Sequence, residues 1–256
     1  GESIELEANE DYWGGAPAIK HVIWKIIPEG SSRTMALEAG EVDLIIEVES
    51  TDLSRLQDNP DIVTANEPGT GHNWMMVNNE KAPFDNADFR RAIASAVDKN
   101  AVVQVALNGQ GSVSDSMLPE SFPGVVADGA PSYDPEKAKE LMAEAGYADG
   151  FSCQLWVNGD VRTRSAQMIQ AQLAEIGITV DISTMEWGAF LDALNAGEHE
   201  MFILGWSNGT FDADGSTYQL FHSSNHGATG NRAFMTDATV DELIMKAAQE
   251  NDDAQR

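Results

Sequence analysis

The 256 residues carry 42 acidic against 15 basic side chains, a formal net charge of −27 with histidine neutral. That length suits one large or two ordinary domains, and the charge excludes a nucleic-acid partner, which would need a basic stripe. The acids are spread along the whole chain, the pattern of a solvated surface, and no run of 18 apolar residues marks a membrane-spanning helix.

Residues 1–8 alternate polar and apolar side chains, the period of a half-buried strand. Strands need neighbours and none precedes this one, so truncation is expected there. It is expected again at the other end, where Val240, Leu243, Ile244, Ala247 and Ala248 share a helical face running on without a glycine or proline stop. Residues 22–27 read as a strand. Ser31 can cap a helix through Ala39 that Gly40 closes, residues 42–46 return as a strand, and Thr51 can cap a helix to about Asp58. Strands are expected near 62–65 and 74–78, and helices over 88–97 and 100–107.

Residues 108–133 form a long Gly-, Ser-, Pro- and Asp-rich stretch, either a covering over a site or a surface connection. Asp134-Pro135-Glu136 is a strong helix start, and Gly146 ends that helix. Strand 151–157 follows and carries Cys153, the only cysteine, which can form no internal disulfide and reads as inert packing. Helix 162–176, strand 178–184, helix 187–196 and strand 200–205 complete an alternation that predicts an α/β fold. A composition shift at residues 66–71 suggests a boundary between a partial lobe and a more complete one.

The common nucleotide, protease, hydrolase and paired-cysteine signatures are absent. Of five histidines only His222 and His226 have helical i,i+4 spacing, in a loop-forming context, so surface positions are expected and neither a metal site nor a cofactor. Asp212 and Asp214, beyond a buried strand, suit a catalytic dyad or polar ligand contacts, and equally a turn with a helix cap over 215–221. The most informative stretch is Gly205-Trp206-Ser207-Asn208-Gly209-Thr210-Phe211-Asp212. Ligands of open α/β sheets sit just past the carboxyl ends of strands. There Trp206 offers a flat apolar face with one donor, and Ser207 and Asn208 offer short orienting groups; the alternative is a tryptophan plugging the lobe edge.

Several short motifs, weak singly, resemble one family in order and spacing. Asn9-Glu-Asp-Tyr-Trp-Gly-Gly15 is similar to its "NPDYWGG" signature, with Glu10 where proline is common. Ala39-Gly-Glu-Val-Asp43, Lys81-Ala-Pro-Phe-Asp85, Phe89-Arg-Arg-Ala-Ile93, Tyr133-Asp-Pro-Glu-Lys-Ala138, Glu186-Trp187, Gly205-Trp206 and Leu220-Phe-His-Ser-Ser-Asn225 with Asn231-Arg232 continue it. The chain thus resembles family 5 of the bacterial extracellular solute-binding proteins, the dipeptide, oligopeptide and nickel-binding group.

The resemblance implies class II periplasmic-binding-protein-like α/β lobes, truncated at both ends: residues 1–72 a partial first lobe, 73–78 a hinge, and 79–256 a second lobe lacking its C-terminal part. It implies a monomeric component of an ABC importer, in the periplasm or at the cell surface with a possible lipid anchor, which captures a peptide-like or other small polar solute between lobes and passes it to a membrane permease. A hydrolase using Asp212, Asp214 or Glu186, or a sensor for a membrane receptor, is the alternative. Dipeptide-binding relatives hold the two charged ends of their ligand with an acid and an arginine. Here Gly209 and Trp156 occupy those positions, so the resemblance points to a guest read by Trp156, Trp206, Asn158, Ser207 and Asn208 through stacking and neutral hydrogen bonds.

Overall fold

A computed structural model describes residues 1–252 apart from 68, 121, 123–124 and 127–128. The chain divides into two units, Gly1–Asn66 and Glu67–Arg256.

In the first unit β1 (Ser3–Glu7) and β2 (His21–Lys25) form an antiparallel pair with Ser3 opposite Lys25 and Glu7 opposite His21. Helices α1 (Gly30–Glu38) and α2 (Ser50–Gln57) begin one residue before the expected caps Ser31 and Thr51. Glu29 and Glu49 take the N-cap positions without a side-chain cap bond. The strands expected over 42–46 and 62–65 do not form. Alternation earns a strand only beside a ladder partner, and β1–β2 is the only sheet among the described residues of this unit. Instead the Arg33 guanidinium donates to the carbonyls of Ile27, Pro28 and Glu47 at 2.9–3.0 Å, pinning a loop in which Glu47 has φ +55°. Leu44 and Val63 are left 73% and 96% exposed.

The second unit contains β3 (Gly71–Val77), α3 (Ala87–Ala96), α4 (Lys99–Ala106), α5 (Pro135–Glu144), β4 (Phe151–Val157), α6 (Asp160–Ala174), β5 (Ile178–Thr184), α7 (Trp187–Asn195), β6 (Met201–Ser207), α8 (Asp214–Phe221) and α9 (Ala238–Gln249). The expected α/β class is what this unit adopts. Asx and Glu side chains set its helix starts: Asn86 accepts from the amides of Asp88 and Phe89, Asp134 from Lys137, and Glu186 from Gly188 and Ala189.

The sheet runs β3-β6-β4-β5, with β3 antiparallel to β6 and the other neighbours parallel. Both faces are covered, which explains the continuous apolar run Met201–Leu204. One face packs Leu155, Val157, Ile178, Val180, Met201 and Ile203 on apolar residues of α3, α5 and α6. Cys153 lies in this core, where burial, with Glu200 adding, pushes its thiol up to about 12, so it is inert packing as expected. The other face joins Phe202 to Phe190 and Leu194 of α7, with Met76, Trp156 and Leu204 around them. Gly150 and Gly177 let two loops cross: both have positive φ, and a Cβ on Gly150 would stand 2.5 Å from the Gly177 carbonyl oxygen.

The turn into β6 is tied by Asn78, which is buried and donates to the carbonyls of Gly197 and His199 at 3.0 and 3.3 Å. His199 is fully buried, edge-on to Phe202 at 4.8 Å. The Arg232 backbone approaches its ring, but neither ring nitrogen reaches hydrogen-bond geometry. Burial, reinforced by Lys81 and Arg232, pulls its pKa from 6.5 to about 4.

Two predictions follow from charge. The unfolded chain protonates His199 before the folded one does, so stability falls as pH drops from about 6.5 towards about 4, by up to about 3 kcal/mol. His199→Phe should flatten chemical-denaturation midpoints between about pH 5 and 6.5, above the carboxylate range; an unchanged slope refutes the assignment. The charge of −27 also makes self-repulsion a standing cost, and raising salt from about 0.1 to 1 M shortens its reach from about 10 to 3 Å. The melting temperature, followed by circular dichroism, should rise across that range of KCl, and a flat or falling trend contradicts this.

Candidate functional site

β6 leaves the core at its carboxyl end, passing from buried Ile203 to partly exposed Gly205 and Trp206 and exposed Ser207. Gly205 leaves room there for a neighbouring side chain. A Cβ would stand 2.8 Å from Oδ1 of Asn73, its partner across the ladder. The Asn73 amide lies over Gly205 and accepts from Arg162 Nε at 3.2 Å, while Arg162 Nη1 donates to the Asn158 carbonyl at 3.3 Å. These bonds tie β3, β6 and the β4–α6 turn at one edge of the sheet.

On the opposite face the two-residue period places His72 and Trp74 of β3 beside Trp206 and Leu204 of β6. The rings of His72 and Trp74 stack at 4.8 Å and 19°, and burial pulls the His72 pKa down, so its ring is neutral near pH 7. Trp206, partly buried, lines with Trp74, Leu220 and Arg232 a cavity of about 10 Å³, room for about one water. The indole N–H groups of Trp74 and Trp206 are buried without a protein partner. Half-buried Arg232 donates from Nε to Asn195 Oδ1 at 2.9 Å, and burial lowers its pKa. This edge therefore presents aromatic side chains, with two unpaired indole N–H groups buried beneath.

The loop after β6 is organised by Asn208, which is buried. Its Nδ2 donates to the Asp212 carbonyl at 2.6 Å and Ser216 Oγ at 3.1 Å, and its Oδ1 accepts from the amide and hydroxyl of Thr210 at 2.9 and 2.7 Å. All four of its hydrogen-bond valences are used, so Asn208 builds the loop and has none to offer a guest, contrary to expectation. Asp212 accepts from the Asp214 amide at 3.0 Å, the turn-forming role, as α8 begins.

The loop also holds a residue that sequence reasoning missed. Phe211 has φ +56° and is 52% exposed, in a backbone region that costs a non-glycine residue about 1 kcal/mol or more. Its ring lies 5.8 Å from that of buried Phe122, so the 108–133 stretch reaches this loop at that point. No residue-type signal announces a phenylalanine at positive φ.

Trp156 and Asn158 each have side-chain partners of their own. Trp156 pairs with Phe202, four residues and about 13 Å along β6 from Trp206; its Nε1 donates to Gln154 Oε1 at 3.0 Å and its ring packs in the second core. Asn158 Nδ2 donates to the Met185 carbonyl at 2.8 Å, bracing the turn into α7.

The Glu186 carboxylate caps α7. Ser224 Oγ lies 2.9 Å and Asp241 Oδ1 3.9 Å from the same His222 Nδ1, whereas a triad needs opposite ring nitrogens to serve different partners. His226 Nε2 instead meets the Met235 carbonyl at 3.0 Å. Among the described residues no three His, Cys, Asp or Glu side chains group as a metal site, and no helix is long and apolar enough to cross a membrane.

Against known proteins, residues 1–228 match the model "Bacterial extracellular solute-binding proteins, family 5 Middle". The chain is 33% identical over 255 residues to heme-binding protein A of Haemophilus influenzae, covering 96% of this chain and 46% of that protein. It is 31% identical over 261 residues to the dipeptide-binding protein of Escherichia coli, covering 99% and 49%. Among solved structures, the ABC transporter-associated periplasmic binding protein DppA from Helicobacter pylori, in complex with peptide STSA, superposes with a TM-score of 0.93 at 32% identity, over 99% of this chain and 51% of that one. The chain spans about half the length of these relatives. With the mixed sheet, the aromatic end of β6 and the ordered motifs all agreeing, the chain belongs to the family 5 bacterial extracellular solute-binding proteins.

Proposed function

We propose that this chain supplies part of the ligand cleft of an ABC importer's extracytoplasmic binding component, a monomer working in the periplasm or at the cell surface. It captures a peptide-like or other small polar solute and hands it to a membrane permease. The observation that carries the reading is the carboxyl end of β6, where Trp206, Trp74 and His72 form an aromatic edge in a chain of this family. Residues 1–72 contribute to the first lobe, 73–78 act as the hinge and 79–256 belong to the second lobe. β3 is laddered to β6 along its whole length, so a hinge there works by twisting the sheet edge while keeping the ladder. Closure requires the solute to prefer the closed state, by about 5 kcal/mol to move the protein from mostly open to mostly closed.

The protein binds and releases without chemistry: Glu186 and Asp212 are engaged in caps and turns. The resemblance puts Gly209 and Trp156 at positions where dipeptide binders carry charge. An ammonium or carboxylate buried without a counter-charge costs several kcal/mol, which disfavours free dipeptides and favours longer peptides or neutral solutes.

Native mass spectrometry of the intact protein, followed by calorimetry on what it retains, tests this. The bound solute should be recovered chemically unchanged, and Trp206→Ala should weaken its binding by about 1–3 kcal/mol. A cleaved solute overturns the binder reading, and unchanged affinity removes Trp206 from the site. A dissociation constant below about 1 μM for any unmodified dipeptide overturns the exclusion of dipeptides.

A further inference from the structure

We infer that Phe211 is a specificity-determining contact that gives the site preference for solutes carrying an aromatic or bulky aliphatic group; this rests on the solute-binding reading above. Phe211 combines two features that ordinary loop residues avoid. Its backbone sits at φ +56°, a region that favours glycine, and half of its large apolar ring faces solvent. Its aromatic neighbour among the described residues is buried Phe122, with the rings 5.8 Å apart and tilted at 32°.

The conformation is imposed from both sides. Asn208 grips Thr210 before Phe211 and the Asp212 carbonyl after it, the Asp212 amide donates to Thr210 Oγ1, and Asp212 accepts from the Asp214 amide. A loop so closely hydrogen-bonded holds Phe211 in one pose whether or not a guest is present. Strain kept in place by its surroundings, on the loop that leaves the carboxyl end of β6, is how a binding surface is prepared in advance. An outward aromatic face selects by stacking and apolar burial, and so discriminates side chains.

Calorimetric titration of the intact protein with alanine tri- and tetrapeptides, and the same peptides bearing one phenylalanine, tests this. Wild-type protein should prefer the phenylalanine-bearing peptides by about tenfold or more. Phe211→Gly and Phe211→Asn, which both accept positive φ, should abolish the preference, leave affinity for the alanine peptides within about twofold and keep the melting temperature within about 2 °C. Phe211→Trp should retain the preference. A preference that survives in Phe211→Gly overturns the inference. So does a large drop in melting temperature in both variants, which would make the ring a packing element. Wild-type protein that binds these peptides without preference overturns this inference alone. Wild-type protein that binds none of them overturns the peptide reading first, and this inference with it.

Discussion

The burial of β6 on both faces and along both edges is the constraint on which the rest of this structure depends. β3 pairs with it on one side and β4 on the other, one face meets the helices α3, α5 and α6, and the other meets α7. Met201, Phe202 and Ile203 are each at most 4% exposed, so a one-residue slip would exchange the two cores and is prohibited by hydrophobic burial alone. A strand fixed so firmly also fixes where it ends. Trp206 emerges beside His72 and Trp74 because the ladder through Met201 to Leu204 leaves it no other place.

Close approach at the sheet edge follows from the same ladder. Gly205 faces Asn73, and without a side chain on Gly205 the Asn73 amide can lie across the strand and join Arg162. Beyond this point regular pairing ends and Asn208 takes over as organiser, using every valence of one amide to shape the loop that runs to Ser216. Rigid ladder and hydrogen-bonded loop are different devices with one result: the side chains at this edge are held by the fold itself. Buried neutral His199 and the inert thiol of Cys153 lie deeper, where desolvation disfavours charge.

The two units contrast in how much they bury. Ala36, Leu56 and Thr34 are the buried residues of the first unit, while Ile4, Leu6, Ile23 and Trp24 of its hairpin are more than half exposed. A hairpin with apolar side chains on both faces is marginal alone. The second unit holds the two hydrophobic clusters found among the described residues.

The sequence by itself determined the α/β class, the family and nearly every element of the second unit. Strands 151–157 and 178–184 were legible to the residue, because closure by Gly177 and capping by Asp134 are local chemistry. The failures were non-local. The 42–46 segment alternates like a strand but lies against Arg33, and a ladder partner is not a property of the segment itself. Tertiary structure alone set the partners of the candidate residues. Trp156 and Trp206 read alike in one dimension, and only the register of β4 on β6 sets them about 13 Å apart along the strand. Asn208 resembled a ligand contact until four partners in its own loop were seen to consume it, and Phe211 resembled nothing. Residue type states what a side chain can do, whereas register, burial and the competition for hydrogen bonds, which exist only once the chain has folded, decide what it is free to do.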